Sequence, residues 1–147
     1  MKIAIGSDHA AVDLKAKVKY YLESKDIEVI DFGTDSKESV DYPDYGLKVA
    51  QAVASEAVDR GVAICWTGGG MVITTNKVRG IRAALCLNKD MAFYARSHND
   101  TNVLVLSQKY VKDEDLNEIL DTWLTTEFEG GRHVQRLAKI KAVENKQ

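Results

Sequence analysis

The stretch Val62-Ala63-Ile64-Cys65-Trp66-Thr67-Gly68-Gly69-Gly70-Met71-Val72 decides how this chain is read. An apolar run follows Gly61, which reads as a breaker ahead of it. The run ends in consecutive glycines, and the apolar pattern resumes at Met71, Val72 and Ile73. Length and β-branched content make the first part a buried strand, and the glycines a tight turn into a helix. A cysteine therefore closes the strand, and unhindered backbone N–H groups follow it. Such a helix start can hold a phosphate, a carboxylate or a developing oxyanion. The same pattern also fits a purely structural turn with an inert core thiol.

Working outward, Lys2–Gly6 reads as a strand that leaves through Ser7-Asp8-His9, with Asp8 suited to cap the next helix. Ala11, Leu14, Val18, Tyr21 and Leu22 follow at helical spacing, lysines opposite. Ile27–Phe32 predicts a second strand, and residues 36–42 a polar loop. Pro43 suits the first turn of a helix running to about Glu56. After the central stretch come a strand over Ile81–Leu87, a short helix over Asp90–Arg96, and a polar turn at Ser97-His98-Asn99-Asp100. A strand over Val103–Leu106, a helix over Leu116–Leu124 and a basic helical tail from about residue 130 complete the chain. Strand and helix alternate, the pattern of a parallel α/β sheet with crossover helices. No repeat or linker-like stretch divides the 147 residues, so one domain over 1–147 is expected.

Composition narrows the function. A formal net charge of −2 with scattered Lys and Arg provides no field for nucleic acid. No apolar run approaches the roughly 20 residues that span a bilayer. No signal peptide precedes the first strand. Cys65 and Cys86 both end apolar runs, as reduced thiols of a cytoplasmic protein would. The three histidines, His9, His98 and His133, lack close metal-ligand spacing, so no metal is expected.

Candidate chemistry gathers where parallel strands end, since ligands sit beyond their carboxyl ends. Polar exits are expected there at Asp8-His9, at Asp41-Tyr42, at Cys65-Trp66-Thr67 and at His98-Asn99 before the fifth strand. Asp8 reads equally well as a plain helix cap. Arg132 and Arg136 stand one helical turn apart, and paired guanidiniums can grip a phosphate; a solvated basic face is the alternative. A tail at the edge of its own sheet would then serve a site shared between subunits.

With these residues assembled, the chain resembles the ribose-5-phosphate isomerase B family, which includes the galactose-6-phosphate isomerase subunits. The likeness runs from Met1 to about Ile140. It rests on Gly6-Ser7-Asp8-His9, Glu38-Ser39-Val40-Asp41-Tyr42-Pro43-Asp44, Cys65 with Thr67-Gly68 and Gly70-Met71, and Asn76-Lys77-Val78. It continues through Gly80–Cys86, His98-Asn99-Asp100 and Glu129-Gly130-Gly131-Arg132-His133. The resemblance implies a Rossmann-like domain with a five-stranded, mainly parallel sheet flanked by helices. It implies aldose–ketose isomerisation of a phosphorylated sugar, by default ribose 5-phosphate, without cofactor. It further implies a homodimer or dimer of dimers with shared sites, the C-terminal helix reaching the partner.

Carried over by position, Cys65 is the base moving a proton between C1 and C2, with Thr67 beside it. His98 assists ring opening, and Asp8, His9 and Asn99 contact the open-chain sugar. Tyr42, Trp66, Gly68, Gly69 and Gly70 line the pocket, the glycine turn serving as anion hole. Lys109, Arg132 and Arg136 hold the phosphate. One branch of the family has a glutamate base at the position of Met71, so this chain resembles the cysteine branch.

Four departures bear on the substrate. Trp66 stands where the family has glycine, a position whose backbone angles tryptophan resists. Ala10-Ala11 replace a Gly-Gly pair; Val72, Thr74 and Thr75 replace smaller residues; Lys109 replaces an arginine and loses its fork. Trp66 therefore motivates a variant reading, a hexose 6-phosphate or tetrose phosphate as substrate. A catalytically weak sugar-phosphate-binding paralogue is the reading from another class.

Overall fold

The computed structural model describes residues 1–146. The elements are β1 (Lys2–Ser7), a 3-10 turn (His9–Ala11), α1 (Val12–Glu23), β2 (Glu28–Asp31), α2 (Tyr42–Ala54) and β3 (Arg60–Cys65). They continue with α3 (Gly69–Thr75), β4 (Ala83–Leu85), α4 (Lys89–Ser97), β5 (Val103–Ser107), α5 (Asp113–Thr125) and α6 (Arg132–Glu144). The strands form one sheet in the order β2-β1-β3-β5-β4. Every pairing is parallel.

Alternation along each strand builds two apolar layers. Ile3, Ile5, Val62, Ile64, Leu104 and Leu106 face α1, α4 and α5, and Trp123 of α5 fills that layer. Its indole N–H donates to Thr101 Oγ1 at 2.9 Å, so the ring is buried without an orphaned donor. Ala4, Ala63, Cys65, Val103 and Val105 face α2 and α3. Cys65 thus points to the layer that holds the glycine turn and Met71.

The sequence reading needs adjustment in three places. Gly61 does not break the chain before β3; it lies inside the strand. A Cβ there would sit 2.6 Å from Val49 Cγ1, so glycine lets α2 approach the sheet. The fourth strand is Ala83–Leu85 and not Ile81–Leu87. The Ile81 amide turns back to Val78 and the Arg82 amide donates to the Asn102 side chain, which takes both out of the regular ladder. The helix expected from Ala10 starts as a 3-10 turn capped by Asp8 and becomes α-helical at Val12.

Lys15 is 2% exposed, and its ammonium lies 2.7 Å from Asp31 and 2.6 Å from Asp35. Asp31 also accepts the Gly33 amide at 2.8 Å, which ties α1, the end of β2 and the following loop together. Lys15 beside it holds the Asp35 carboxyl below the usual carboxylate range. Removing one partner of a buried pair orphans the other charge, whereas removing the buried charge itself does not. The double variant Asp31→Ala/Asp35→Ala should therefore lose about 3 kcal/mol in urea denaturation, and Lys15→Met distinctly less. Equal losses in the two variants would contradict this account.

Candidate active site

The sheet has a switch point between β1 and β3, because the chain leaves β1 toward β2 on one side and later fills the other. Ser7 of β1 is in register with Ile64, and Cys65 with Ser107 of β5. Asp8-His9, Cys65-Trp66-Thr67 and Lys109 therefore leave the sheet along one edge, its carboxyl edge.

The turn after β3 is clamped by the end of β5. The Cys65 carbonyl accepts the Gln108 amide at 3.0 Å. The Trp66 carbonyl accepts the Lys109 amide at 3.0 Å and the Ser107 hydroxyl at 2.8 Å. Gly68 then takes φ +89°, and a Cβ there would lie 2.5 Å from Leu85 Cδ1. Only glycine meets both demands. The result is an amide aimed backwards: the Gly68 N–H donates to Cys65 Sγ at 3.2 Å. This corrects part of the expected anion hole. The Gly68 donor serves the sulfur, and Gly69 and Gly70 form the first turn of α3.

Trp66 does not strain the turn. Among the described residues the positive-φ positions outside glycine are Asp26, Glu56 and Asp100, so the indole occupies ordinary backbone, half-exposed beside the buried Cys65. The expected clash between tryptophan and a glycine-like conformation is thus absent; the left-handed residue is Gly68. Ala10 and Ala11 likewise avoid the left-handed region.

Asp8 is buried, and its Oδ1 caps the 3-10 turn by accepting the Ala10 amide at 3.1 Å. Burial pushes its carboxyl above the usual carboxylate range despite that amide. His9 Nδ1 accepts the Val40 amide at 3.1 Å, which brings the 36–41 loop to this edge. In the neutral ring the proton then sits on Nε2, leaving a donor for a ligand. Tyr42 opens α2 with its ring against Gly70, where a Cβ would come within 2.6 Å of the ring carbons. Met71 is fully buried against α2. Lys109 holds its ammonium 5.2 Å from the centre of the Tyr110 ring.

His98 and Asn99 are not at this edge, which corrects the sequence reading. They follow α4 and precede β5, and a loop that enters a parallel strand lies at its amino edge. Four steps along β5 at ~3.3 Å put the two edges about 13 Å apart. Around His98 lie Glu129, whose amide donates to the Ser97 carbonyl at 2.9 Å, and buried His133 of α6. Arg132 and Arg136 are exposed one turn apart on the same helix. In a single chain the candidate residues thus form two clusters: Asp8, His9, Tyr42, Cys65, Trp66, Thr67, the glycines and Lys109 at one edge, and His98, Asn99, Arg132 and Arg136 at the other.

His133 and Glu129 were singled out for no role by the sequence. Among the described residues, ligand-type atoms of His98, Glu129 and His133 lie within 4.8 Å of one another. The two imidazoles are stacked, with centroids 4.2 Å apart and planes 19° from parallel.

The chain belongs to the ribose/galactose isomerase family, whose model matches residues 3–140. It is similar to a putative sugar phosphate isomerase of Bacillus subtilis (strain 168), 48% identical over 147 residues and 99% of both chains. It is also similar to ribose-5-phosphate isomerase B of Escherichia coli (strain K12), 46% identical over 99% of this chain and 97% of that one. Among solved structures, ribose-5-phosphate isomerase B of Clostridium thermocellum superimposes with a TM-score of 0.97 at 53% identity over 99% of both chains. The Mycoplasma genitalium enzyme with bound ribulose 5-phosphate gives a TM-score of 0.95 at 38% identity, over 99% of this chain and 97% of that one.

The two thiols differ. Cys86 lies past the end of β4, fully buried, and burial pushes its thiol up to about 12. Cys65 has the Gly68 donor on its sulfur. Iodoacetamide at pH 8 should therefore alkylate Cys65 in the folded protein and spare Cys86, read by peptide mass mapping. Faster modification of Cys86 would contradict the assignment.

Proposed function

We propose that this chain interconverts an aldose phosphate and its ketose, with ribose 5-phosphate and ribulose 5-phosphate as the pair. The observation that carries the reading is Cys65 at the switch point, with an amide donor on its sulfur and buried Asp8 at the end of the neighbouring strand. Proton transfer between adjacent carbons needs a base and a place for enediolate charge. Cys65 is that base as thiolate. Thr67 and the amides of Gly69 and Gly70 receive the enediolate oxygens, while Asp8 and His9 hold sugar hydroxyls and Tyr42 closes the pocket wall.

The other cluster supplies what this edge lacks. His98 opens the ring, Asn99 binds a hydroxyl, and Arg132 and Arg136 grip the phosphate; remote binding energy then orients C1 and C2. Since these groups lie at the opposite edge, the complete site forms between two copies, α6 of one reaching the carboxyl edge of the other. The enzyme needs no metal or cofactor and works in the cytoplasm, where both free cysteines stay reduced. Among the described residues, no helix is long and apolar enough to cross a membrane.

The half-exposed Trp66 favours one variant of this reading. An indole beside the base can select sugar length, so a hexose or tetrose phosphate is the alternative substrate.

Turnover in deuterated water followed by NMR tests the reading. Isomerisation of ribose 5-phosphate should place deuterium at the transferred carbon, and Cys65→Ala should lower the rate by about 10³-fold while phosphate-ligand affinity persists. Undiminished exchange in that variant would remove Cys65 as base. Trp66→Gly should shift preference across a panel of tetrose, pentose and hexose phosphates. An unchanged profile would dismiss the variant substrate.

A further inference from the structure

An aromatic column runs through the second cluster. Phe93 meets Tyr94 edge-on at 5.2 Å, Tyr94 leans on His98 at 4.8 Å, and His98 stacks on His133 at 4.2 Å. Tyr94 lies one turn before His98, which caps the end of α4 with its amide on the Tyr94 carbonyl at 3.0 Å, so the helix end itself sets that contact. His133 comes from α6 and is buried, whereas His98 is one-third exposed. Both Nε2 atoms face one carboxylate oxygen, Glu129 Oε2, at 3.6 Å from His98 and 3.8 Å from His133.

We propose that His133 is a positioning residue for His98, holding its imidazole flat between Tyr94 and α6 so that its edge meets the sugar ring. The proposal rests on the reading of His98 as the ring-opening group. Opening a furanose breaks the C1–O4 bond, takes the proton from the anomeric hydroxyl and delivers a proton to O4. One imidazole can take the first proton and give the second, provided its two faces are fixed and its edge is free. The stack fixes the faces.

The electrostatics suit the same role. The groups facing His133 are His98 from the cap of α4, Glu129 from the connection before α6, and Arg132 and Arg136 on its own helix. Burial, then the nearby cations, pushes His133 below the usual histidine range, with Glu129 pulling the other way. A neutral His133 does not compete with His98 for a proton or for Glu129.

The test uses a difference between the two sugars. Ribose 5-phosphate is mostly a closed ring, whereas ribulose 5-phosphate cannot close a furanose with its 5-oxygen phosphorylated. Deuterium exchange at C1 of ribulose 5-phosphate therefore bypasses ring opening. Two volume-filling variants separate packing from stacking: His133→Leu removes the flat ring, and His133→Phe restores it. In His133→Leu, kcat from ribose 5-phosphate should fall on the order of tenfold, while KM and ribulose 5-phosphate exchange stay within about twofold. His133→Phe should recover most of the lost kcat.

Exchange falling in step with kcat would overturn the proposal, because the damage would then be general. A raised KM with unchanged kcat would overturn it too, making His133 a phosphate ligand. Failure of the wild-type protein to exchange or isomerise either sugar is a separate result, and it would remove the reading on which this proposal stands.

Discussion

A parallel sheet separates what enters its strands from what leaves them. The loop that precedes β5 and the turn that follows β3 lie at opposite edges because every pairing is parallel. Right-handed crossovers through helices enforce that arrangement, and no side-chain movement undoes it. A chain whose candidate base leaves β3 and whose candidate ring-opening histidine precedes β5 cannot assemble both groups by itself. The shared site we propose follows from this topological constraint, with α6 and its two arginines as the part that crosses over.

At the carboxyl edge the order is local and exacting. Ser107 and Lys109 hold the Trp66 carbonyl, Gly68 turns left-handed against Leu85, and its amide falls on the Cys65 sulfur. Each step fixes the next, so the position of Cys65 is set largely by hydrogen bonds from the end of β5 to the turn that follows it. The same clamp explains why a bulky Trp66 is accepted. Its backbone is ordinary, and its indole faces solvent beside the site, where it can act on substrate choice without disturbing the turn.

Much of this was legible in the sequence. The apolar runs at β1, β3 and β5 and the glycine turn marked the sheet and the candidate base, because strand burial and helix starts have local signals. Gly61 was misread because its reason is a helix packed on it from far along the chain. The fourth strand was overextended because Ile81 and Cys86 are buried beyond the ends of β4, and burial looks like strand in a short apolar run. His98-Asn99 was assigned to the wrong edge, although its position before a strand already carried the correction. The stacked pair of His98 and His133 had no local signal: it exists only because α6 returns to the end of α4.

The central claim is that one active site takes its base from one copy and its phosphate-binding arginines from another. Mixing two inactive proteins, Cys65→Ala and the double variant Arg132→Ala/Arg136→Ala, tests it most directly. After unfolding and refolding together, half the dimers are mixed and each has one intact site, so activity should return to about a quarter of wild type. If the mixture stays as inactive as its components although mixed dimers form, each site lies within a single chain and the account is wrong.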